Sequence, residues 1–238
     1  MLHEKGNART FGSLRESFWK FFDSGESSNK AKEFGNSLHS PIFRCSDEIH
    51  VVEKFPPPEL HLMIGVVNTL FKELLKNWDN AQLWLELCHI EREFYHGGSF
   101  TGNSAKKLLK NISKLEEIAE GVSMCYPFID AFKCFNKVVD SCFGMKLDDD
   151  YENNIEAFRL AFQRLGIRIT PKVHIVFFHV IEFCNKFIKG LGYFSEQASE
   201  SVHYDFNACW EKFKVHSTHR DFGSHLFNAV SRYNAQHL

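Results

Sequence analysis

Apolar residues in this chain recur mostly at intervals of three and four, the spacing that lines one face of an α-helix. From Leu60 the series Met63, Ile64, Val67, Leu70, Phe71, Leu74 and Leu75 predicts a helix ending near Trp78. Asn80 can cap another through Leu83, Leu85 and Leu87 toward Tyr95. After a loop at 96–102 (HGGSFTG), Asn103 can cap a helix whose apolar face is Ala105, Leu108, Leu109, Ile112, Leu115 and Ala119. Further helices are predicted over 127–143 and 148–165, with three aspartates at the start of the second, where the helix dipole favours negative charge. Thr170-Pro171 reads as a cap and first position for a helix to Ile188. Gly190 and Gly192 break that pattern. Ser195 can cap a helix to about Phe213, and a last helix is expected over 222–235.

Alternation is rare by comparison. Residues 49–55 (IHVVEKF) are short, β-branched and stopped by Pro56-Pro57-Pro58, the pattern of a strand. Near the N-terminus an amphipathic stretch over 14–22 gives way to a polar run and then to glycines and serines. Residues 1–47 therefore read as a loosely attached segment and 48–238 as a helical domain. The expected fold is mainly α, a multi-helix globular domain with at most a minor β element near residues 49–55.

Composition changes this picture little. The chain's 238 residues can bury most of their apolar surface in one core, without disulfides or a structural metal. Its 25 Phe against 6 Pro point to helices packed through large rings. A formal net charge of −2 argues against binding nucleic acid by bulk charge, while leaving room for a local basic face. The stretch 173–187 is too short and too polar to span a bilayer, so no membrane partner is expected. The seven Cys are scattered, odd in number and without a C-x-x-C pair, as in a reducing compartment, cytoplasmic or nuclear.

Three constellations are candidates for chemistry. Gly97, Gly98, Gly102, Asn103 and Ser104 nearly match the phosphate loop G-x-x-x-x-G-K-[ST], but Asn103 stands where the lysine should be. The residues before the loop also read as helix rather than strand, so nucleotide hydrolysis is excluded. What survives is a glycine-rich turn feeding a helix, able to meet an anion, against the commoner role of such turns as corners between helices. Lys106, Lys107, Lys110 and Lys114 lie opposite that helix's apolar stripe, where they either track a phosphate backbone or are merely solvated. Glu196, Glu200 and His203, four and three apart, share one helix face, which either offers ligands to a divalent ion or serves the helix dipole. His174, His179 and Glu182 interrupt an apolar helix without implying a shared ligand site, and the cysteines lack zinc spacing.

Several blocks, in order, resemble proteins of animal mobile elements. They are PPPELHLMIGVVNTLFKELL (56–75), YHGGSFTGNSAKKLLK (95–110), TPKVHIVFFHVIEFC (170–184), GLGYFSEQASESVH (190–203) and RYNAQHL (232–238). The chain from about residue 40 is similar to the C-terminal portion of transposases with an RNase H-like core. That resemblance implies DNA as partner and two Mg²⁺ ions held by two Asp and one Glu around the scissile phosphate. It also implies a helical insertion, here residues 60–190, between the second Asp and the Glu. The final glutamate would be Glu196 or Glu200, both catalytic and metal ligand.

The sequence departs from that pattern where the second Asp should follow the strand. Pro57-Pro58-Glu59 stands there, and the longer Glu59 would displace a metal ligand by more than about an ångström. Asp47 precedes the strand, and no strand for the first Asp is legible. The expectation is therefore a transposase-derived DNA-binding protein, incomplete as a catalyst, touching phosphate through Gly97, Gly98, Gly102, Asn103, Lys106, Lys107 and Lys110. The alternative is a non-enzymatic α-helical interaction module. Self-association into a homo-oligomer is compatible with either.

Overall fold

The computed structural model describes residues 9–92, 99–195 and 197–237, at 197–201, 203 and 237 by backbone alone. It is a multi-helix protein, as the spacing of apolar residues predicts. Its contacts divide the chain into two compact units, Met1–Phe194 and Ser195–Leu238.

The first unit opens with α1 (Phe11–Asp23), started by a reciprocal cap in which Thr10 accepts from the Ser13 N–H and Ser13 accepts from the Thr10 N–H. The segment 47–51 lies against it: Phe11 and Gly12 donate to the carbonyls of Ile49 and Asp47, and Val51 donates to that of Arg9. Here the expected strand shrinks to one bridge between Thr10 and His50, and residues 51–53 form a single 3₁₀ turn. A strand needs a partner along its length, and α1 turns helical at once.

The body consists of α2 (Glu59–Asn77), α3 (Ala81–Leu87), α4 (Gly102–Lys110), α5 (Ile112–Ile118), α6 (Tyr126–Cys142), α7 (Tyr151–Arg164), α8 (Pro171–Phe178) and α9 (Val180–Phe187). Helix α6 packs against α2, α4, α5 and α7, and α2 also meets α3, α4 and α8. Rings join these helices. Phe71 of α2 meets Phe100 at 5.2 Å, and Trp84 of α3 meets Phe132 of α6 at 5.1 Å. Phe158 of α7 reaches Phe135 of α6 at 4.9 Å and Phe177 of α8 at 5.4 Å. Each buried ring removes roughly 150–250 Å² from water, so this set carries much of the apolar burial.

Two long predicted helices are each interrupted. The stretch from Gly102 breaks at Asn111, whose carbonyl accepts the indole N–H of the fully buried Trp84 at 2.9 Å. The stretch from Pro171 is divided at His179, whose backbone stays in the right-handed region but with a stretched φ of −112°. The helix expected from Asn80 stops at Leu87, and His89 takes a left-handed backbone (φ 49°).

The second unit is a helix pair, α10 (Gln197–Trp210) and α11 (Phe222–His237). Buried Cys209 and Ala229 meet between them, with Phe206 5.9 Å from Tyr233 and Trp210 5.7 Å from Phe222. No helix among the described residues is long and apolar enough to cross a membrane.

Truncating Phe132 to Ala should lower unfolding free energy by about 3–5 kcal/mol in urea titration. Leu160→Ala on the exposed side of α7 should change it by less than about 0.5 kcal/mol.

Candidate nucleic-acid interface

The lysine helix is anchored where it begins. Asn68, buried in α2, spends its amide on both sides: its nitrogen donates to the Ile64 carbonyl at 2.9 Å, and its oxygen accepts from the Phe100 N–H at 3.3 Å. Phe100 is buried, so the turn leading into α4 is pinned to the core. The cap of α4 is Thr101, whose hydroxyl accepts from the Ser104 N–H at 3.1 Å, in place of the expected Asn103. Asn103 instead lies exposed in the first turn. Thr101 wins because its backbone is already extended while Gly102 begins the helix.

Gly102 has a packing reason of its own. A side chain there would stand 2.5 Å from a methyl of Leu60, so the missing Cβ lets α2 and α4 approach. Gly97 and Gly98 lie outside the described residues.

The lysines divide into two kinds. Lys114 donates to the Leu87 carbonyl at 2.9 Å and Lys107 to the His89 carbonyl at 3.4 Å. Both acceptors belong to the end of α3, where unsatisfied carbonyls and the helix dipole favour a cation. Lys106 and Lys110 are exposed one turn apart, and among the described residues no hydrogen bond or ion pair engages them. Between Asn103 and Leu115 the chain has four Lys and no acid. The result is a short cationic strip in which Lys107, itself exposed, and Lys114 also bond carbonyls at the end of α3, while Lys106 and Lys110 face solvent alone among the described residues.

The expected metal site is less complete. Glu196 lies outside the described residues, and Glu200 falls on α10 without a described side chain. Glu59 is buried in the first turn of α2, and Asp47 is ion-paired with Arg15, which also donates to the Cys45 carbonyl. Among the described residues no group of three His, Cys, Asp or Glu stands close enough to hold a metal ion. Neither Glu59 nor Asp47 belongs to such a group among the described residues, and the side chains of Glu196 and Glu200 are not among them.

A cavity of about 210 Å³, not foreseen from the sequence, lies under the triple proline. Pro56, Pro57, Pro58, Phe55 and Phe183 give it apolar walls, and His179 and Glu182 line one side. The break between α8 and α9 brings the His174 and His179 rings to 5.3 Å, with His179 Nδ1 3.9 Å from Glu182 Oε2. Lys186 pairs with Glu53 at its edge and holds that carboxyl below the usual range. The clue in the sequence was three prolines facing a helix that carries His and Glu in an apolar run.

The cysteines form no disulfide and are poor nucleophiles in the core. Burial raises the thiol pKa of Cys142, and that of Cys184 to about 12.

Compared with known proteins, the chain matches no family model, no curated protein and no solved structure.

If Thr101 is the working cap, Thr101→Ala should cost about 1 kcal/mol in chemical denaturation. Asn103→Ala should cost less than about 0.5 kcal/mol; the reverse order would return the cap to Asn103.

Proposed function

We propose that this chain is a transposase-derived DNA-binding protein that contacts the phosphate backbone through Lys106 and Lys110 and does not cut DNA by itself. The observation carrying this reading is the cationic strip over α4 and the start of α5, free of acids from Asn103 to Leu115 and pinned at its entry through Phe100. A fixed pair of exposed cations pays less ordering entropy on meeting phosphates than lysines in a mobile tail. Further support comes from the division after Phe194, which sets a helical body apart from a helix that begins at Gln197. The resemblance to transposases expects a final Glu on a helix following a helical insertion, in that order. The lack of cleavage rests on Pro57-Pro58-Glu59 where that family would place an aspartate. Free cysteines suit a reducing compartment, nuclear or cytoplasmic.

A second reading, a helical interaction module without nucleic acid, draws on α1. Phe18, Trp19 and Phe22 stack along it at 5.1–6.1 Å, and Trp19 and Phe22 are largely exposed.

Fluorescence anisotropy of the purified chain with labelled duplex DNA separates the two. Binding should weaken steeply with salt, and changing Lys106, Lys107 and Lys110 to Glu should abolish most of it. In the logarithmic salt plot the slope should fall by about 2–3. Absence of binding at low salt would leave the interaction module standing, and binding indifferent to the triple change would overturn the assignment of the contact to this face.

A further inference from the structure

Helix α9 ends at Ile188, which takes a left-handed backbone (φ 53°) and donates its N–H to the Cys184 carbonyl. Glycine or asparagine ordinarily fills that position, because a β-branched side chain crowds its own backbone there. Ile188 is also 77% exposed. In an isolated chain the residue is thus unfavourable twice, once as backbone strain and once as apolar surface in water.

Its neighbours make the same choice. Met145, in the loop between α6 and α7, is 66% exposed, and Tyr193 is 55% exposed. The turns bearing them are locked together: the Gly192 N–H donates to the Gly144 carbonyl at 3.0 Å. A Cβ at Gly190 would stand 2.1 Å from that oxygen and 2.5 Å from the Lys146 carbonyl. Only glycine fits, so the two turns form one platform. Lys189 reaches over the Tyr193 ring at 5.3 Å. Met145 and Ile188 line one open depression whose rim holds Lys146 and Lys189 beside Asp148, Asp149 and Glu152. Among the described residues no ion pair occupies Lys146, Lys189, Asp148 or Asp149.

We propose that this platform is a self-association surface, on which a second copy of the same chain docks by a twofold axis over Ile188, Met145 and Tyr193. The charges select that occupant. The rim carries both signs side by side, so a half-turn can set the lysines of one copy opposite the aspartates of the other. A strongly acidic or basic partner, or an anionic lipid surface, would meet its own sign along part of the rim.

Sedimentation velocity of the full chain from about 1 µM to about 100 µM tests this. The wild-type protein should pass from monomer to dimer as concentration rises. Ile188→Asn should remain monomeric, yet melt no lower than wild type at about 1 µM, because asparagine tolerates the left-handed backbone. Met145→Ser, which alters no strained residue, should weaken association about tenfold or more. A wild-type chain still monomeric at about 100 µM would overturn the proposal. So would an Ile188→Asn or Met145→Ser variant that dimerises as readily as wild type.

Discussion

The indole of Trp84 ties the helical body together. It is fully buried on α3, meets Phe71 of α2 and Phe132 of α6, and gives its one N–H to the Asn111 carbonyl between α4 and α5. An indole buried among rings needs a partner for that N–H, and the Asn111 carbonyl, which also accepts the Lys114 N–H, supplies it at the junction of α4 and α5. The interruption at Asn111 is thus coupled to core packing. Around it, Asn68 and Phe100 fix where α4 begins.

This coupling changes what a lysine-rich helix means. Four cations in nine residues look like a single electrostatic device when read along the chain. In the fold, Lys107 and Lys114 satisfy carbonyls at the end of α3, work that a helix terminus requires whatever the protein binds. Lys106 and Lys110 are left facing solvent. The same helix thereby serves packing on one side and presents charge on the other.

Much of the architecture was legible because buried positions recur at helical spacing: Tyr126–Cys142 and Pro171 as a first position follow the pattern closely. The breaks at Asn111, His179 and Cys88 were not, since no proline or glycine stands at any of them; at Asn111 the carbonyl is instead engaged by Trp84 of a different helix. Residues 49–55 looked like a strand from their β-branched content, but strand geometry depends on a pairing partner and α1 offers only Thr10. The lysine face could be read from the sequence, whereas its division into two kinds could not, because the acceptors Leu87 and His89 come from a different helix. Nothing in residue spacing marks Ile188 as left-handed either; a glycine there would have announced the turn.

The division of labour among the lysines of α4 and α5 is tested most directly by two paired substitutions measured side by side. Lys106→Glu with Lys110→Glu should remove most DNA affinity and leave the melting temperature unchanged within about 2 °C. Lys107→Met with Lys114→Met should instead lower the melting temperature by several degrees, about 1 kcal/mol of lost interaction at the end of α3. That second pair should retain the larger share of DNA affinity. Equal losses of affinity from both pairs, or a melting temperature that falls only with the first pair, would contradict the assignment.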